Sequence, residues 1–146
     1  MNIITSLLLI ILILTTTSFT QSDRYTKGAE NGNMWLAMDD PALPYNVSKE
    51  NYLSSILERI RVTGEKHPEI ASLTCRDDIN KLYNEGESDN ISLEDVVKEI
   101  DQFYSRSDNL VIPIIFAYCY TIKKFAGVSN KGLRKYREDV LKFCYE

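Results

Sequence analysis

The stretch Leu110-Val111-Ile112-Pro113-Ile114-Ile115-Phe116-Ala117-Tyr118-Cys119-Tyr120 is almost entirely apolar. Pro113 suits the first turn of a helix, whereas in a central strand it would remove a ladder hydrogen bond. The run continues to Ile122 and Phe125, and Lys123, Lys124 and Gly127 are residues that favour a helix C-terminus. A helix that is apolar on all sides belongs in the middle of a bundle, covered by other helices. The β-branched content leaves a buried strand as the alternative.

The flanking segments supply the covering helices. Ser48 can serve as an N-cap, after which Tyr52, Leu53, Ile56, Leu57 and Ile60 recur at helical spacing up to Gly64. Pro68 suits the first turn of a second helix that turns Ile70, Leu73, Ile79 and Leu82 inward. Whether Cys75 interrupts it is open. The clearest local signal follows: Ser92 as N-cap, Asp95 as the returning carboxylate of a capping box, and Ile91 with Val96 as a hydrophobic staple. Leu93, Val96, Val97, Ile100, Phe103 and Tyr104 then mark one helical face. The last segment carries Leu133, Tyr136, Val140, Leu141 and Cys144 at the same period. Helices are thus predicted over 48–63, 68–83, 92–105, 112–126 and 130–144. Asn33 to Met38 adds one or two turns before Pro41 and Pro44 forbid more helix. The reading is all-α: a compact bundle of four to five short amphipathic helices around one mostly apolar helix.

Residues 1–20 read as a signal peptide. Ile3 to Leu14 is aliphatic but shorter than the roughly 20 apolar residues a spanning helix needs. Ser18 and Thr20 flank Phe19 in the pattern of a cleavage site and place the cut before Gln21. The n-region has no Lys or Arg, which keeps an uncleaved anchor as the alternative. Residues 21–32 read as a flexible arm and 33–146 as a single helical domain. The expected location is secreted: extracellular, or periplasmic in a bacterium.

An oxidising compartment makes a disulfide expected among Cys75, Cys119 and Cys144. Cys119 and Cys144 lie about equally far from the turn at Gly127 to Gly132, so an antiparallel helix pair would bring them abreast. Cys119 with Cys144 is the predicted bridge and Cys75 the free thiol; a Cys75 bridge to either partner is the rival. Asn46-Val47-Ser48 and Asn90-Ile91-Ser92 are N-glycosylation acceptors in a eukaryotic host, which makes Asn46 and Asn90 the modification candidates.

Catalytic signals are missing. His67 is the only histidine, which excludes two-histidine zinc sites and HExxH. The carboxylate doublets Asp39-Asp40, Asp77-Asp78 and Glu138-Asp139 are adjacent in sequence rather than opposed across a cleft. No catalytic residue, metal or cofactor is expected. The net charge of −4 argues against nucleic acid as the main partner. Residues 65–101 hold eleven acidic and four basic side chains and residues 102–146 eight basic and four acidic, so the two halves are expected to face each other. Nine of the fifteen aromatics follow residue 100; they fill either a packed core or an apolar cavity oriented by tyrosine hydroxyls.

Gly32-Asn33-Met34-Trp35-Leu36, followed by Ile91-Ser92-Leu93-Glu94-Asp95-Val96-Val97 and an apolar helix, resembles periplasmic immunity proteins that block type VI amidase effectors. The glycine-rich CxGYxxG-like segment of that family is absent. The resemblance implies an inhibitor of a bacterial effector. The residues themselves lead first to a secreted, non-enzymatic helical protein that binds another protein, and second to a carrier of a small apolar ligand.

Overall fold

The computed structural model describes residues 30–38, 40, 48–55, 73–86 and 90–145. Its helices are α1 (Gly32–Ala37), α2 (Arg76–Asn84), α3 (Leu93–Tyr104), α4 (Ile114–Phe125) and α5 (Asn130–Tyr145), with a 3-10 turn at Ser107–Asn109. Residues 49–55 are helical as well. The described residues contain no sheet, only an isolated antiparallel bridge between Asn31 and Pro113. None of the described helices is long and apolar enough to cross a membrane. The protein is an all-α bundle. The predicted leader and Asn46 lie outside the described residues, as do 56–72 with His67.

The apolar run forms the central helix. α4 packs against α2, α3 and α5, and buries Ile114, Phe116, Ala117, Tyr118, Cys119 and Ile122. Pro113 precedes the helix in extended conformation instead of lying in its first turn. At the other end Gly127 adopts φ +78°, a left-handed conformation that glycine reaches without strain.

α3 starts as its sequence requires. The Ser92 hydroxyl accepts from the Asp95 amide at 3.1 Å, and the Ser92 amide donates to the Asp95 carboxylate at 3.1 Å. The side-chain and backbone donors of Ser92 hold the Asp95 carboxyl below its ordinary value. A folded-state value below the unfolded one means a contribution present at neutral pH and lost as pH falls through about 3.8 and below. Ser92→Ala is expected to destabilise the domain by about 1 kcal/mol and to flatten this acid-side dependence. Urea melts at pH 7 and pH 3 check both; equal losses at the two pH values would show that the box is not the source.

Three details of the structure add to the sequence reading. First, α2 begins at Arg76 rather than at 68, with Cys75 as its N-cap residue outside helical geometry and Asp77 and Asp78 in its first turn, where carboxylates favour the helix dipole. Second, Glu30 and Gly32, within the predicted arm of residues 21–32, make backbone contacts with the packed helices. The Gly32 amide donates to the Leu110 carbonyl at 3.1 Å and the Ile114 amide to the Glu30 carbonyl at 2.8 Å. Gly32 is buried against Tyr104; a Cβ here would lie 2.5 Å from the ring and 2.9 Å from the Leu110 Cα, so only glycine fits. Third, Leu93 is 39% exposed and Val97 half-buried, whereas Val96, Ile100, Phe103 and Tyr104 are buried as expected.

The disulfide corrects the predicted pair. Cys75 bridges Cys119 with their Cα atoms 5.1 Å apart, and Cys144 is a buried thiol outside the bridge. α4 and α5 do pack together, but in a register that separates Cys119 from Cys144. The rings of Phe116 and Phe143 meet at 5.6 Å. From that contact, Cys119 lies toward the interhelical turn and Cys144 away from it. Cys119 and Lys123, one turn apart on the same stripe of α4, instead face α2, where Lys123 pairs with Asp78 at 2.6 Å.

Polar contacts lock the helices together. The Trp35 indole N–H and the Lys49 ammonium both donate to Asp101 Oδ1 at 2.7 Å, and Lys49 lies 5.1 Å from the centre of the Trp35 ring. The Tyr104 hydroxyl donates to the Ile112 carbonyl at 2.8 Å. Asn109 donates to the Phe103 carbonyl at 2.6 Å and accepts from Arg137 Nε at 2.6 Å, joining α3 to α5 through the 3-10 turn. The acidic and basic halves meet at Lys123–Asp78 and at Lys124–Glu99, 2.5 Å.

Candidate functional site

Among the described residues, four elements do not close over an apolar surface. α2 contributes Ile79, Leu82 and Tyr83; the segment 49–55 contributes Leu53 and Ser54. Ile91, Leu93 and Val96 come from the start of α3, and Tyr118 and Ile122 from the central helix. Together they line a groove of about 450 Å³. Leu82, Val96 and Ile122 are buried in its floor, whereas Tyr83 is 65% exposed.

Tyr118 is 7% exposed. Burial, and secondarily the Tyr83 phenol, push its hydroxyl up to about 12, so it is a neutral phenol throughout the physiological range. The two serines of the groove are engaged elsewhere. Ser54 donates to the Glu50 carbonyl at 3.0 Å and Ser92 to the Asp95 carboxylate at 2.6 Å.

A second cleft, about 270 Å³, runs between α3, α4 and α5 and is polar, with Arg106, Lys124 and Arg137 in its wall. Each of these cations already has an anionic partner. Lys124 holds Glu99, and Arg106 and Arg137 both hold Asp108. Arg106 first, then Arg137, keeps the Asp108 carboxyl below its ordinary value. The cleft is a structural junction.

The residues singled out from sequence are dispersed. Cys119 is in the central helix, bonded to Cys75, and Cys144 is buried near the end of α5. Asn90 is exposed just ahead of α3, and Ser92 of its tripeptide is the N-cap. Of the carboxylate doublets, Asp78 pairs with Lys123 and Asp139 with Lys135. Among the described residues no group of three or more His, Cys, Asp or Glu could hold a metal ion. Sequence reasoning offers a packed core or a tyrosine-bearing cavity for the C-terminal aromatics, and of these Tyr118 lines the groove. It misses the contributions of Leu53, Ile79 and Tyr83, because their meeting with Tyr118 depends on helix placement and leaves no local signal. Comparison with protein-family models, curated proteins and solved structures finds no match to this chain.

Proposed function

We propose that this chain is an exported, non-catalytic binding protein whose recognition element is the groove between α2, α3, α4 and the segment 49–55, and that its cargo is a small apolar molecule. The supporting observation is the groove itself. Its volume of about 450 Å³ and its apolar lining match small-molecule sites, which run from roughly 300 to 1,000 Å³. The charged groups around it serve ion pairs between helices, such as Lys123–Asp78. Export follows the reading of residues 1–20 as a leader, and Asn46 and Asn90 are its proposed glycosylation sites in a eukaryotic host.

A second reading, action on another protein, is favoured by Tyr83 and Leu93 at the groove, which stay 65% and 39% exposed. Aromatic and aliphatic side chains in such a position are typical anchors for a partner.

Secretion of the full chain, followed by solvent extraction and mass spectrometry of the purified product, tests the carrier reading. The expected wild-type result is an apolar molecule in stoichiometric amount and a leader removed near Gln21. Ile79→Trp, which fills the groove from its half-buried wall, is expected to cut the cargo at least tenfold while keeping the wild-type melting midpoint. Cargo retained in full by a folded Ile79→Trp variant would place it elsewhere.

A further inference from the structure

We infer that the groove selects an uncharged ligand with one hydrogen-bond acceptor, a carbonyl or ether oxygen on an apolar body, which receives the Tyr118 hydroxyl proton in a hydrogen bond. This rests on the proposed groove and specifies its ligand. Tyr118 is more than nine-tenths buried and lines the groove, and its hydroxyl makes no hydrogen bond among the described residues. The oxygen is not sealed inside: the one side-chain polar atom completely buried without a partner among the described residues is Thr121 Oγ1. The Tyr118 hydroxyl is therefore within reach of solvent, and we place it at the groove that the residue lines.

A hydroxyl in this position is worth satisfying. Water in the empty groove can bond this hydroxyl, and an apolar occupant displaces that water; an acceptor on the occupant replaces the lost hydrogen bond, which a purely apolar ligand cannot do. The other candidate donors are committed: Ser54 to the Glu50 carbonyl and Ser92 to Asp95. Tyr83 is mostly in solvent and has less to gain. Tyr118 is thus the donor left for an occupant, and its neutral phenol donates without changing charge.

The lining also decides against a charged ligand. Its described residues are apolar, hydroxyl or phenol side chains, with no Lys, Arg, Asp or Glu. A carboxylate or ammonium group entering here would lose its hydration without gaining a counter-charge. One neutral oxygen over an apolar body has its hydrogen bond and its burial both satisfied.

Three probes of nearly the same shape separate these features: 2-acetylnaphthalene carries a neutral ketone, 2-ethylnaphthalene has no acceptor, and 2-naphthoate carries a charge. NMR titration of the folded protein reads their affinities from the signals of Tyr83, Tyr118 and Val96. The ketone is expected to bind wild type about three- to tenfold more tightly than the ethyl compound, the range of one net hydrogen bond, and more tightly than naphthoate. Tyr118→Phe keeps the ring and is expected to remove the ketone's advantage while leaving the ethyl compound unchanged. Equal affinity of ketone and ethyl compounds for wild type, or a ketone advantage that survives in Tyr118→Phe, overturns the role of the hydroxyl while the groove reading stands. Naphthoate binding as tightly as the ketone overturns the preference for a neutral ligand. Failure of all three to shift groove signals overturns both the inference and the groove as a ligand site.

Discussion

Ile100→Asp is expected to abolish the cooperative unfolding transition. Ile100 is fully buried on α3, the helix that packs against the central one. Removing its side chain alone forfeits about 2–5 kcal/mol of packing, and the new carboxyl must either stay ionised without a partner or take up a proton in the core. The sum rivals the whole stability of a small domain, roughly 5–15 kcal/mol. Val97→Asp, on the neighbouring half-buried stripe of the same helix, serves as the control. Its aspartate reaches water, and the variant is expected to fold with a lowered melting point. Far-UV circular dichroism with urea titration reads both. A wild-type transition in Ile100→Asp would mean that α3 does not cover α4 as described.

Loss of the Cys75–Cys119 bond is the second large effect. The bridge spans a sequence separation of 44, and closing a loop of that size stabilises the folded state by about 4 kcal/mol on the chain-entropy estimate. Cys75→Ala is therefore expected to lower stability by roughly that amount and to leave Cys119 and Cys144 both as thiols. Cys144→Ala is expected to cost less, because it removes one small buried side chain and no cross-link. Non-reducing peptide mapping checks the connectivity directly. A peptide joining Cys119 to Cys144 would contradict the structure, and equal stability of Cys75→Ala and wild type would show that the bond constrains little.

The disulfide marks where local reasoning stops. The expected compartment and the cysteine count lead to a bond, but its partners depend on which face of α4 looks toward α2. The symmetry of Cys119 and Cys144 about the intervening turn is a fair guide to an antiparallel pair. The offset comes from side-chain packing: Phe116 seats on Phe143, and Lys123 reaches Asp78 on the stripe that carries Cys119. These contacts are long-range, and no spacing in the chain encodes them.

The groove shows the same division. The chain leaves the C-terminal aromatics open between a packed core and a cavity, whereas the role proposed for Tyr118 comes from the fold. Tyr104 and Tyr136 satisfy their hydroxyls on the Ile112 and Leu73 carbonyls, and among the described residues the assembled bundle leaves the Tyr118 hydroxyl without such an acceptor.

The features legible along the chain are local ones. The capping box at Ser92 and Asp95, the helical periods and the all-round apolar character of the central run each depend on residues within a few positions of one another. Together they were sufficient for an all-α bundle with α4 at its centre. Long-range packing set the others: helix rotation, the α4–α5 register, the Cys75–Cys119 bond, the docking of Glu30 and Gly32 and the opening beside Tyr118. Those features depend on how side chains from distant segments fill a shared volume, and close packing selects one such arrangement from many that the same helical pattern would allow.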